Sequence, residues 1–201
     1  MERLGIIGGT FDPIHLAHVY IAEKAKELLN LKRIIFMPAG SPPHKMNKEV
    51  TEASLRYKMV EVAIKGKEGF EVSDYEIKQQ GESYTYRTLK HLKKENREIY
   101  FITGADCLVN LEKWKNVDEI LKLCHFVVLT RPGIDKCELI KEKEYIEKKY
   151  NAKIIFLDIE GIEMSSTNIR EIIKRGEDLT KYISKEVIEI IKKEKLYEVK
   201  C

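Results

Sequence analysis

A chain that opens Leu4-Gly5-Ile6-Ile7-Gly8-Gly9 and soon reaches Asp12-Pro13 has little freedom in its first stretch of structure. The apolar residues Leu4, Ile6 and Ile7 read as a short buried strand. Gly8 and Gly9 end it and leave the backbone free to approach a ligand closely. Asp12-Pro13 marks a turn and disfavours helix. Beyond it, Leu16, Val19, Tyr20 and Ala22 or Glu23 follow an i, i+3, i+4 pattern that runs on to Leu28 and Leu29. The spacing predicts a strand, a glycine turn and a helix that starts near His15. His15 and His18 then share one face of that helix's first turn.

Such a helix start suits an anion, because free N–H groups and the helix dipole both favour negative charge there. Two imidazoles beside it can donate hydrogen bonds to phosphoryl oxygens as charge shifts between them. On spacing alone, a tight turn carrying two surface histidines fits equally well.

The rest of the chain alternates short apolar runs with helical periodicity. Residues 31–37, with Ile34, Ile35 and Phe36, read as a second buried strand. Pro38, Pro42 and Pro43 then force a loop that ends in His44-Lys45, either a plain connection or a stiff way to hold a cation over a phosphate. A helix is expected over 54–65 with Leu55, Met59, Val62 and Ala63 inward, which leaves Arg56 as a solvated surface residue. A strand is expected over 70–77. A helix over 88–94 follows, capped by Ser83 or Thr85, with N–H groups near Tyr84 and Thr85 open to an anion. The run 98–103 reads as a central parallel strand buried on both faces. Gly104 and Asp106 follow at its C-terminal end, where open α/β sheets bind ligands. Asp106 either accepts hydrogen bonds from sugar hydroxyls or caps the next helix. Trp114, the only tryptophan, reads locally as packing. Helix is expected over 117–123 and 136–150, and strand over 126–129 and 153–157, with Arg131 where the earlier of those strands ends. Ser166, Thr167 and Arg170 open a further helix, as ordinary capping or as a second anion site. Ser184 caps a last amphipathic one.

This alternation predicts an α/β fold with a mainly parallel sheet. At 201 residues, 43% hydrophobic and 34% charged, the chain can bury one core and is expected to be soluble. We expect one domain over 1–201, with a small helical part from about residue 165. The net charge of +3 with interspersed signs points away from a nucleic-acid partner. No apolar run is long enough to span a membrane, and no signal-peptide pattern opens the chain. Cys107, Cys124, Cys137 and Cys201 form no C-x-x-C pair, so a reduced, cytoplasmic chain without a protein-ligated metal is expected. The G-x-G-x-x-G fingerprint is missing after the first strand, which weighs against a dehydrogenase.

Residues 8–18, Gly-Gly-Thr-Phe-Asp-Pro-Ile-His-Leu-Ala-His, resemble the opening motif of the H-x-G-H nucleotidyltransferases, and most closely the bacterial nicotinate-nucleotide adenylyltransferases. The Pro-Pro-His-Lys segment 42–45, the Ser-Tyr-Thr-x-x-Thr-Leu string 83–89, Gly104-Ala105-Asp106 with Trp114, and Ser-Ser-Thr-Asn-Ile-Arg at 165–170 resemble further segments of that family, in the same order. The R-x-x-M context of Arg56 is also similar to the family's, where that residue supports the substrate region. Two positions depart from the pattern: Ala17 stands at the usual Gly, and Arg87 at the usual Asp. The resemblance implies a Rossmann-like nucleotidyltransferase fold with helices on both faces of the sheet. It implies transfer of an adenylyl group from ATP to nicotinate mononucleotide, with Mg²⁺ accompanying ATP. By the same resemblance His15 and His18 are catalytic. Gly8, Gly9, Thr10, Phe11, His15, His18, Gly104, Asp106, Ser166, Thr167 and Arg170 bind ATP. Lys45, Tyr84, Thr85, Trp114 and Arg131 bind the mononucleotide, with Trp114 stacked on the pyridine ring. A sister enzyme acting on nicotinamide mononucleotide or pantetheine phosphate, and an idle nucleotide-binding module, are the alternatives. The sequence leaves open whether the chain forms a homo-oligomer.

Overall fold

The computed structural model describes residues 1–41, 50–79, 81–130, 136–159 and 164–198. Its centre is a sheet of strands β1 (Glu2–Gly9), β2 (Arg33–Pro38), β3 (Phe70–Val72), β4 (Arg97–Gly104), β5 (His125–Thr130) and β6 (Ile154–Asp158). The order is β3-β2-β1-β4-β5-β6, and every neighbouring pair is parallel. In such a doubly wound sheet the winding reverses between β1 and β4, and ligands sit outside the carboxyl ends of the strands at that point.

The apolar runs are strands because both of their faces are covered. Alternate residues feed two separate cores. Ile7, Phe36, Ile102 and Val127 pack on one face against α1 (Leu16–Leu28), α2 (Ala53–Ala63), α8 (Ser166–Lys174) and α9 (Lys185–Lys193). Ile6, Ile35, Phe101 and Val128 pack on the other face against α4 (Thr85–Leu92), α5 (Ala105–Val109), α6 (Val117–Leu123) and α7 (Lys136–Tyr150). Each fully buried Ile, Leu or Phe contributes about 1.5–3 kcal/mol relative to exposure.

Three local expectations are corrected. The strand expected over 70–77 ends at Val72, and Tyr75–Lys78 forms a single helical turn, α3. The Ser73 hydroxyl accepts from the Tyr75 N–H at 3.2 Å and turns the chain, leaving a short edge strand. Helix α4 begins at Thr85 rather than Thr88, and neither Ser83 nor Thr85 caps it by a side-chain hydrogen bond. The Ser83 hydroxyl instead accepts from the Gly40 N–H at 3.0 Å.

The third correction concerns Arg56. The buried face of α2 is Arg56, Met59 and Val60, so the helix is rotated from the stripe expected of it, and Arg56 is 1% exposed. Its guanidinium donates to the carbonyl oxygens of Thr51 (2.7 Å), Thr10 (2.8 Å) and Gly40 (3.3 Å). Burial lowers its pKa, and the nearby Asp12 carboxylate opposes that shift. A guanidinium keeps its charge even so, and its fork of donors suits three oxygens at once. Removing it would leave those carbonyls unpaired and the 4%-exposed Asp12 without its counter-charge. Arg56→Met is therefore expected to cost about 3–5 kcal/mol. That corresponds to a fall of roughly 6–20 °C in melting temperature for a chain of this size. A thermal scan that moves by less than about 2 °C would show that solvent or other donors replace the guanidinium.

Candidate active site

The site grows from the carboxyl ends of β1 and β4. Gly9 closes β1, and a Cβ there would sit 3.1 Å from the Phe11 ring. Phe11 has φ 51°, the left-handed region that costs a side-chain-bearing residue about 1–2 kcal/mol. Its ring is buried, with its edge toward His18 at a centroid separation of 5.1 Å.

His15 is the N-cap of α1, in extended conformation. Its ring stacks on that of His18 at 3.6 Å between centroids. The His15 backbone N–H donates to His18 Nδ1 at 3.3 Å, while the His18 N–H donates to the His15 carbonyl at 3.0 Å. Because Nδ1 accepts, a neutral His18 carries its proton on Nε2 and presents it as a donor. The shared helix face expected of these two histidines is present, with His15 buried and His18 half-buried.

Helix α8 abuts the same loop. Ser165 Oγ accepts from the Asn168 N–H at 3.1 Å and caps the helix. Ser166 Oγ donates to the Pro13 carbonyl at 2.9 Å. Arg170 donates to the Asp12 carbonyl at 2.7 Å and to Thr167 Oγ1 at 3.2 Å. These side chains bind the β1–α1 loop to α8. What α8 presents toward an anion is the start of its backbone, with the Arg170 charge close by.

A cleft of about 650 Å³ opens beside this loop. It brings together Gly8, Gly9 and Thr10 from the end of β1, Tyr84 and Thr85 from the start of α4, Asp106 from α5, and Trp114. Trp114 sets its edge against Phe101 (6.0 Å) and Phe126 (6.2 Å) while it lines the cleft, so it packs on the core and borders the site at once. Asp106 lies in the first turn of α5 and does not cap it: Gly104 is the N-cap, without a side-chain bond. Phe11, His15, His18, Gly104, Ser166, Thr167 and Arg170 do not border this cleft, and several of them form the adjoining wall around Asp12 and Pro13. Lys45 and Arg131 lie outside the described residues.

Known proteins resemble this chain in sequence and in fold. Residues 6–172 match the family model described as cytidylyltransferase-like. A Clostridium botulinum protein named "Probable nicotinate-nucleotide adenylyltransferase" is 54% identical over 198 residues, 98% of this chain and 99% of that one. A Clostridium novyi protein of the same name is 52% identical over 200 residues, covering 98% and 100%. The chain belongs to this nicotinate-nucleotide adenylyltransferase family. Plasmodium falciparum nicotinic acid mononucleotide adenylyltransferase complexed with NaAD has the same fold, with TM-score 0.79 at 23% identity over 98% of both chains.

Three residues around the site were not read from local periodicity, although the R-x-x-M resemblance pointed to Arg56. Arg56 sits one position off the apolar stripe. Glu76 falls in the segment expected to be strand, yet its side chain is largely buried, lines the cleft and accepts from Thr88 Oγ1 at 2.5 Å. Tyr197, past the end of α9, reaches back and donates to Asp12 Oδ1 at 2.6 Å. Burial and then the Asp12 carboxylate push its phenol well above the ordinary range, so it stays a donor. The departures from the family pattern have places too. Ala17 is buried in the core beside Val19 and Ala22, and Arg87 lies outside, with its guanidinium carbon 5.4 Å from the Tyr84 ring centroid and 5.8 Å from that of Tyr86.

Proposed function

We propose that this chain transfers the adenylyl group of ATP to nicotinate mononucleotide, releasing pyrophosphate and forming nicotinate adenine dinucleotide. The observation that carries this is the single cleft joining the β1 glycines, the uncapped start of α4 and Trp114 at the point where the sheet's winding reverses. The 5′-phosphate oxygen of the mononucleotide forms a bond to the α-phosphorus of ATP, and the bond from that phosphorus to the bridging oxygen of pyrophosphate breaks. The nucleophile is already ionised at neutral pH, so the reaction needs no general base. The protein's work is to align the two phosphates and to stabilise charge on the five-coordinate phosphorus and the leaving group.

In this reading His15 and His18 face the phosphates, with the Nε2–H of His18 as a donor to a phosphoryl oxygen. Gly8, Gly9, Thr10 and Phe11 shape the turn under the nucleotide, Gly104 and Asp106 take its sugar, and Ser166, Thr167 and Arg170 flank its triphosphate. Trp114 stacks on the pyridine, and the N–H groups at Tyr84 and Thr85 receive its carboxylate. Lys45 and Arg131 are assigned to the mononucleotide by resemblance alone. Among the described residues no group of three or more His, Cys, Asp or Glu side chains is placed to cage a metal. Mg²⁺ enters as part of the ATP substrate, held by phosphates and water. No helix among the described residues is long and apolar enough to cross a membrane.

The test is to incubate the protein with Mg²⁺, ATP and a panel of mononucleotides and identify the product. We expect nicotinate adenine dinucleotide, with a preference over nicotinamide mononucleotide of at least about 10²-fold in kcat/KM, because backbone donors grip a carboxylate and leave an amide NH₂ unpaired. Equal rates for both would overturn the assignment of that pocket. His18→Ala is expected to lower kcat by roughly 10²- to 10³-fold with little change in KM. A variant that keeps more than about half of the parental kcat removes His18 from the chemistry. For Trp114→Ala the expected loss falls on the mononucleotide, about 1–3 kcal/mol, with the KM for ATP nearly unchanged. Equal losses for both substrates would make Trp114 a packing residue only.

A further inference from the structure

One half-buried acid, Glu76, lines the cleft without a role in the reaction. Glu76 lines the same cleft as the start of α4, where the pyridine carboxylate is assigned. Thr88 donates to Oε1 at 2.5 Å, and the Ser83 hydroxyl also lowers its pKa. Ser83 is in turn fixed by the Gly40 N–H at 3.0 Å, and a Cβ on Gly40 would lie 2.3 Å from the Glu76 carbonyl oxygen, so the acid is clamped in place. A site that selects a carboxylate thus has an acidic group built into its wall.

We propose that Glu76 sets the choice between an acidic and an amide pyridine ring, admitting the acid when protonated and opposing it when ionised. The proposal rests on the pyridine end of the cleft being where the functional reading puts it. Burial raises the Glu76 pKa above its ordinary value, and the bonds from Thr88 and Ser83 work against that rise. A second carboxylate brought into the cleft raises it further, so the acid substrate binds with uptake of a proton. An ionised Glu76 has the opposite preference, since it can accept from an amide N–H.

The other charged groups around it are committed elsewhere. On its own helix Asp74 pairs with Lys78 at 2.6 Å, and Tyr75 stacks on His91 at 3.9 Å. From α4, Lys90 pairs with Glu119 at 2.8 Å, and Arg87 lies over Tyr84 and Tyr86. Before α4, Glu82 accepts from the Tyr84 hydroxyl. Across the cleft stand Asp106, the Cys107 thiol, which burial holds above its usual range, and two lysines. Lys113 donates to Asn110 Oδ1 at 2.8 Å, and Lys115 sits 4.5 Å from the Tyr84 ring centroid. Arg56 reaches the region only through the Gly40 carbonyl. Among the described residues, none of these cations makes an ion pair with Glu76.

The experiment measures kcat/KM for nicotinate mononucleotide and for nicotinamide mononucleotide with Mg²⁺ and ATP, from about pH 5.5 to about pH 8.5. Both substrates carry the same titrating 5′-phosphate, so it cancels in the acid-to-amide ratio. That ratio is expected to fall by about tenfold as pH rises, because the ionised form of Glu76 opposes the acid. E76Q is expected to flatten the profile near its acidic limit. T88V removes a bond that favours the ionised form, so the midpoint is expected to move to higher pH, which loss of packing alone would not do. A ratio that is independent of pH in the unaltered protein, or an E76Q profile that tracks it, overturns the role of Glu76 while leaving the function intact. Should E76Q fail to fold, the unaltered and T88V profiles decide. Absence of dinucleotide product from either mononucleotide overturns the functional reading and the proposal with it.

Discussion

The loops at the carboxyl ends of β1 and β2 depend on one guanidinium. Parallel strands end by leaving carbonyl oxygens pointed into the region where the ligand cleft must be, and water cannot serve them all once α2 covers the loop. Arg56 supplies donors to Thr10 on the first loop and to Gly40 and Thr51 on the second. The two loops are thereby held at a set separation. Asp12 provides the compensating charge, and it is in turn held by the Tyr197 hydroxyl at 2.6 Å and the Thr51 N–H at 3.4 Å. A buried ion is tolerable only when its hydrogen bonds are complete, and this one is stationed where backbone groups would otherwise go unpaired.

From Gly40 the same chain of bonds passes to the α4 side of the cleft. Its N–H donates to Ser83 Oγ just before α4, and Thr88 donates to Glu76 from within α4. The β1–α1 loop and the start of α4 are therefore parts of one polar network, although they lie far apart in sequence. Rigid placement of two phosphates is the main task of an adenylyl transfer that needs no base. A network that fixes loop to loop serves that task better than packing of apolar side chains, which would position the elements but not their polar backbone groups.

How much of this was legible in the sequence follows from the range of each interaction. The β1 and β4 runs were readable because burial on both faces leaves no polar alternation to misread. The β1–α1 turn was readable because glycine, proline and the helical spacing after it are all local. Arg56 was not, because its partners Thr10 and Gly40 are supplied by other loops, and an arginine one position from an apolar stripe normally faces solvent. Glu76 was hidden by a wrong period: a segment resembling a strand becomes a helical turn after Ser73 bonds the Tyr75 N–H. The start of α4 was misplaced for a related reason, since Ser83, the natural cap by spacing, is occupied by Gly40.

The two departures from the family pattern can be weighed on the same physical terms. A methyl at position 17 would obstruct phosphates only if it faced them. Ala17 instead points into the core among Val19, Ala22 and Ala25 and is 3% exposed. There, alanine in place of glycine favours the helix by about 1 kcal/mol and adds apolar contact. Helix α1 carries His15 and His18 at its start, so a firmer helix holds their stacked rings more firmly. In that position Ala17 gives no support to an idle binding module. Arg87 is exposed and rests against Tyr84 and Tyr86, the first of which borders the cleft. Its positive charge near the start of α4 adds to the helix dipole in favouring an anion there. Position 87 thus supplies no carboxylate to the cleft, whereas Glu76 from α3 lines it and accepts from the Thr88 hydroxyl.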